Sequence, residues 1–294
     1  MSLAHNLLAL LVVFIWGTNF VFIRYGLDEL GPFTFAALRF ALVAFPLVLF
    51  LPRPAVPWRS LISYGVLIGA GQFGFLFWAM QSDISPGLAS LVVQSQVFFT
   101  VGLSAYLLSE SVGRTQLIAL ALGLLGISVV LVFTDGYTTG FGVTLTLLAA
   151  LSWAGGNLVV KHAGQVDVLA YIAWSSIFAL PPLFLVAFLF EGGTSIFSAA
   201  ANTSARGWAV IIWQSVGNTL IGYGLWNFLL SQYRAAIVAP WALMVPVFGL
   251  LASSVMLSEP MPAWKLVAAA LILSGLTLNI VAGRERIAQS THGV

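Results

Sequence analysis

Uninterrupted apolar runs, each about the length of a membrane-crossing helix, recur ten times along the chain. The first five cover about residues 6–25, 33–51, 60–80, 86–108 and 115–133. The second five cover about residues 141–161, 168–190, 207–230, 236–257 and 263–281. None alternates polar and apolar positions in the manner of lipid-facing strands, so helices are expected rather than a barrel. Pro32, Pro52, Pro54, Pro57, Pro86, Pro260 and Pro262 stand at the boundaries, where a missing N–H disrupts least. Only the connections at 51–59 and 191–206 have any length, and neither can hold an extramembrane domain.

The pattern comes back once. Trp16-Gly17 and Asn19 lie in the middle of the first run, with Arg24 at its end; Trp153, two glycines, Asn157 and then Lys161 repeat the arrangement in the sixth. Leu108-Ser109-Glu110 closes the fourth run as Leu257-Ser258-Glu259 closes the ninth, and Gly126 and Gly275 follow those glutamates at the same distance. Five is an odd number of crossings, so the second copy enters the membrane from the opposite side. The expected fold is therefore an all-α integral membrane protein of ten transmembrane helices. It is built as two inverted five-helix repeats, residues 1–134 and residues 135–294 with a short tail. That is the plan of secondary transporters, whose substrate site lies near the midplane between the repeats.

Composition fits this reading. Of 294 residues, 60% are hydrophobic and 7% charged, against about a quarter charged in soluble domains. Mean hydropathy is +1.03. The chain has no cysteine, which removes disulfides and thiolate metal sites. Placement of the cations says more than the net charge of +2. Arg53, Arg59, Arg114, Lys161, Arg234, Arg284 and Arg286 fall on the side of the N-terminus; Arg24, Arg206 and Lys265 fall on the other, with Asp28, Glu29, Asp83, Asp135, Glu191 and Glu259. Basic residues favour the cytoplasmic side, so both termini are expected there. The first run has polar residues at its centre and neither a basic leader nor a small-residue cleavage site, and it reads as a retained helix.

The Trp16-Gly17 opening, Arg39 in the second span, the Ser-Glu ends of spans four and nine and the glycine-bearing fifth and tenth spans resemble the EamA group of the drug/metabolite transporter superfamily. The likeness runs from about residue 6 to 282 and is greatest to the YddG-type exporters. It implies a ten-helix inner-membrane exporter of aromatic and other neutral amino acids, with a cavity lined by spans one, three, four, six, eight and nine. Related exporters tend to have aromatic residues in the middle of span four, where this chain has Gln94 and Gln96.

Trp16 with Asn19 and Trp153 with Asn157 each share a helix face, and an indole beside an amide suits a neutral zwitterion with a large side chain. Gln72, Trp78, Gln94, Gln96, Asn218 and Trp241 complete the expected path, since polar groups within a bilayer face another helix or a wet route. Gln94 and Gln96, two apart, point to nearly opposite sides of a regular helix, so one of them is expected to dominate. Pro240 and Pro246 are expected to bend span nine beside Trp241. Arg39 is the one cation well inside a span; pairing with Asp28, Glu29 or a helix C-terminus is expected, with a substrate carboxylate as the alternative. No Asp or Glu lies mid-span, which favours facilitated export over proton coupling. The partners expected are a small-molecule substrate and membrane lipids, with no nucleic acid, no cofactor, and a monomer plausible. An exporter of another metabolite or drug is the alternative within the class. A low-charge channel or an intramembrane enzyme lacks, respectively, charged rings and a nucleophile–base or metal constellation.

Overall fold

The structure, a computed structural model, describes residues 1–109, 112–133, 138–192 and 196–292. No strand occurs among them. In chain order the helical rods are α1 (Leu3–Leu27), α2 (Pro32–Phe50), α3 (Trp58–Ser82), α4 (Pro86–Leu107), α5 (Arg114–Val132), α6 (Gly140–Ala163), α7 (Val168–Phe190), α8 (205–232), α9 (Ala239–Leu257) and α10 (Ala263–Gly283). Nine of these are long and apolar enough to cross a membrane. The exception is α8, helical throughout the run expected at about 207–230 but carrying Gln214, Ser215, Asn218 and Thr219 at its middle.

Local backbone geometry recurs between the halves. The rod α3 widens from α-helix into π turns over Gly65–Phe73 and returns to α-helix at Gly74. In α8 the same succession runs through Trp213–Ile221 and resumes at Gly222. A 3₁₀ turn interrupts α4 at Val93–Ser95, and another opens α9 at Ala239–Leu243, where Pro240 withholds its N–H. Both rods end on a serine in the left-handed region, Ser109 at φ 54° and Ser258 at φ 53°. Glu110, beside the first, and Asp135 lie outside the described residues.

Packing follows the same correspondence. Helix α1 lies against α8 and α9 as α6 lies against α3 and α4, while α2 pairs with α7, α4 with α9 and α5 with α10. Small residues permit the close approaches. A Cβ on Gly17 would come within 2.5 Å of the Phe248 Cβ, and one on Gly126 within 2.6 Å of Ile272. Outward, Leu124, Leu125, Phe188 and Leu189 are exposed, an apolar surface suited to acyl chains rather than water.

At the end of the bundle where α1 finishes, carboxylates tie the rods together. Glu191, after α7, accepts the N–H groups of Phe33 at 2.6 Å and Thr34 at 3.1 Å, capping α2. Glu29 accepts the Ser204 N–H at 3.1 Å just before α8. Glu259, after α9, accepts the Gly87 N–H at 3.0 Å and the Ser85 hydroxyl, capping α4, and pairs with Lys265 at 3.0 Å. Each carboxylate supplies both an acceptor and a negative charge where a helix begins with unpaired N–H groups.

Candidate functional site

Where α1, α3, α4, α6, α8 and α9 meet, they enclose a cavity of about 300 Å³. Eight of the expected path residues line it: Trp16, Asn19, Gln72, Gln94, Gln96, Trp153, Asn157 and Asn218. No charged side chain is among the lining residues. Amides and indoles alternate with Phe20, Ile23, Phe73, Leu76, Val93 and Val245, so the wall offers hydrogen-bonding groups set in apolar surface.

The lining groups are held by cross-bundle bonds. The Trp16 indole N–H donates to the Asn218 carbonyl at 3.2 Å, and its ring leans on Tyr223 and Trp226. Gln214 donates from its side-chain amide to Asn19 Oδ1 at 2.8 Å. On the opposite wall the Asn157 amide donates to Gln96 Oε1 at 2.9 Å and to the Thr100 hydroxyl at 3.3 Å. These bonds fix the rotamers of the wall. The Gln72 Oε1 is buried without a hydrogen-bond partner among the described residues.

Gln94 and Gln96 both line the cavity, against the expectation that one would dominate. The 3₁₀ turn at Val93–Ser95 is the reason. Two residues apart, side chains diverge by about 160° on an α-helix but about 120° on a 3₁₀ helix, which brings both amides toward one concave surface. Two tryptophans stand elsewhere. Trp78 faces away from Gln72 on α3 and packs among Phe33, Phe141 and Phe190. Trp241 packs toward Ala9, Leu229 and Val238, while its neighbour Ala242 reaches the cavity. Tyr223 and Trp226, absent from the expected path, line it. For Trp226 the signal was present in the helical spacing, since Asn218, Gly222 and Trp226 succeed one another at intervals of four residues.

Arg39 does not meet Asp28 or Glu29. Asp28 pairs with Arg24 at 3.1 Å, and Glu29 is engaged with Ser204. The guanidinium instead donates from NH2 to the Thr219 hydroxyl at 3.0 Å and lies 3.7 Å from the centroid of the Phe73 ring. Among the described residues no group of three or more His, Asp or Glu could hold a metal ion.

Apolar rods around an uncharged, polar-flecked chamber define a multi-pass membrane protein able to house a small solute. The sequence model of the EamA-like transporter family matches residues 3–132 and again 140–281, and the chain belongs to that family. Membership makes it a transporter rather than an enzyme. A protein of Salmonella typhimurium called "Probable amino-acid metabolite efflux pump" is 40% identical over 97% of this chain and 98% of its own. An Escherichia coli protein of the same description is 36% identical over the same shares. A crystal structure at 19% identity matches with a TM-score of 0.63 over 96% of this chain and 99% of the other, a likeness of fold.

Proposed function

We propose that the protein exports neutral amino acids, including aromatic and other bulky ones, across the bacterial inner membrane by alternating access and without proton coupling. The observation that carries this is the cavity itself. Its lining comes from rods of both halves, it has amides and indoles but no charge, and it holds about 300 Å³. That is the low end of the roughly 300–1,000 Å³ of small-molecule sites, room for one amino acid and not a peptide. Both relatives named for amino-acid metabolite efflux span nearly the whole chain, which supports the substrate class.

The mechanism requires ten crossings in two inverted repeats, 1–134 and 135–294, with both termini in the cytoplasm. Three observations support this. The family model matches twice. The π and 3₁₀ interruptions recur at corresponding places in the two halves. The pairs α2 with α7, α4 with α9 and α5 with α10 are what a pseudo-two-fold axis produces. In this reading α8 crosses with its polar face turned to the cavity, and the carboxylate-capped end faces outward. Inward and outward openings are then exchanged between near-equivalent halves around a fixed chamber.

Vesicles containing the purified protein and preloaded with labelled tryptophan, phenylalanine or threonine test the reading. Release faster than from empty vesicles, unchanged by an imposed pH gradient, is expected. Equal leak for every amino acid removes the reading; acceleration by the gradient removes uniport alone.

A further inference from the structure

Arg39 occupies a second, smaller chamber beside the main one. Its residue exposure is 1%, yet Nε and NH1 have no hydrogen-bond partner among the described residues, and no carboxylate lies in its chamber. The chamber is lined by Arg39, Tyr64, Ser175, Ser176, Thr219 and Tyr223 together with apolar groups, and the Ser175 hydroxyl is likewise buried without a partner. Ser176 and Thr219 spend their hydroxyl protons on the Ile172 and Gln214 carbonyls. The open donors are therefore Nε and NH1 of Arg39 and the Ser175 hydroxyl, a cation and a hydroxyl beside a space with no anion, the donor set of an anion site.

Two residues, Phe73 and Tyr223, line both this chamber and the central cavity and form the partition between them. Gln72, next in sequence to Phe73, is among the residues lining the central cavity, and its amide oxygen, buried without a partner among the described residues, is an acceptor suited to an ammonium group. An acceptor for a cation thus stands one residue from the ring that covers donors for an anion.

We propose that the Arg39 chamber is the carboxylate subsite of the transport path. The carboxylate of the solute held in the central cavity binds to Nε and NH1 of Arg39 when Phe73 and Tyr223 part. This rests on the amino-acid reading given above. The chamber as it stands holds about 20 Å³, on the order of one water-sized group. Admission of a carboxylate is therefore coupled to displacement of the Phe73 ring, and Arg39 exchanges a ring face for a charge-assisted pair. A transporter without charged side chains lining its main cavity would in this way recognise the charged end of its solute one wall further in.

The test uses the full chain purified in detergent with sodium methanesulfonate, a bulky anion, as the salt. Formate and acetate are expected to raise the unfolding midpoint, and the neutral isostere acetamide is not. In Arg39→Met the response to carboxylate disappears. In Arg39→Lys, which keeps the charge but loses the fork, apparent affinity falls by on the order of 10- to 100-fold, as loss of a charged hydrogen bond predicts. Ser175→Ala gives a smaller fall and serves if Arg39→Met does not fold. A midpoint raised by chloride and not by carboxylates identifies a halide site and overturns the proposal. So does the absence of any response, or undiminished amino-acid flux in vesicles with Arg39→Met. If no amino acid is transported by the unaltered protein but the acetate response persists and requires Arg39, the amino-acid reading falls and the carboxylate site stands.

Discussion

Among the described residues two cations, Arg39 and Lys265, are withdrawn from solvent, at 1% and 0% exposure, and the protein surrounds them differently. Lys265 meets Glu259 at 3.0 Å, and that carboxylate also accepts the Ser85 hydroxyl and the Gly87 N–H. Charge is matched to charge, and the lone pairs of the carboxylate are used. Arg39 has a threonine hydroxyl and an aromatic face, with two of its nitrogens unbonded among the described residues. An interior cation with an acid fastens elements together; one without an acid remains a standing demand for an anion. The difference separates the rods' fastening, at the end of the bundle, from the neighbourhood of the chamber.

Removing one partner of the matched pair should have the largest effect. Glu259→Gln takes the carboxylate charge out of the buried pair with Lys265 and weakens the cap on α4, so stability is expected to fall by about 3–5 kcal/mol. Denaturant titration in detergent measures it. Replacing both members, Glu259→Met with Lys265→Met, should restore most of the loss, because both charges then leave the interior together. A double variant as unstable as the single one would show that the caps on Ser85 and Gly87 matter more than the pair.

The same kind of truncation at Arg39 should run the other way. Arg39→Met removes a charge that has no acid, so stability is expected to stay within about 1 kcal/mol or to rise. Amino-acid efflux should fall at least about tenfold, the equivalent of losing one charge-assisted bond in the loaded state. A loss of stability as large as that of Glu259→Gln would place Arg39 among the fasteners and erase the distinction.

Much of this arrangement is legible from sequence because it is local. Hydropathy over about 20 residues marks the rods, and the repeated tryptophan and amide spacing points to the walls that face one another. Where reading from sequence went astray, the deciding fact is not local or is conformational. Nothing in Gln94-Ser95-Gln96 announces the 3₁₀ turn that brings both glutamines to the cavity. Trp78 packs among aromatic rings and Trp241 against an apolar cluster, so a tryptophan within a span does not by itself say that its ring reaches the cavity. Lys265 and Glu259 read as interfacial charges at the outer end, yet both are buried. Their burial depends on α4, whose Ser85 is 174 positions away from Glu259. Arg39 was expected beside Asp28 or Glu29, and those acids are taken by Arg24 and Ser204. Competition among partners is a property of the folded bundle, and spacing along one helix does not express it.

The finest discrimination falls on Thr219, which accepts from Arg39 NH2 at 3.0 Å and whose hydroxyl donates to the Gln214 carbonyl at 2.9 Å. Thr219→Val keeps the shape and removes both bonds. If Thr219 were the counterpart that Glu259 is to Lys265, its loss would strand a charge and approach the multi-kilocalorie penalty of a broken buried pair. A neutral hydroxyl does not neutralise a guanidinium, so the expected loss is only about 1 kcal/mol, the net worth of an ordinary hydrogen bond. A third nitrogen of Arg39 becomes free in the same variant. Acetate should therefore still raise the unfolding midpoint, and by at least as much as in the unaltered protein, since the anion no longer competes with an internal acceptor. A smaller acetate response in Thr219→Val would mean that the hydroxyl orients the guanidinium for its anion, and the two cations would then differ in degree rather than in kind.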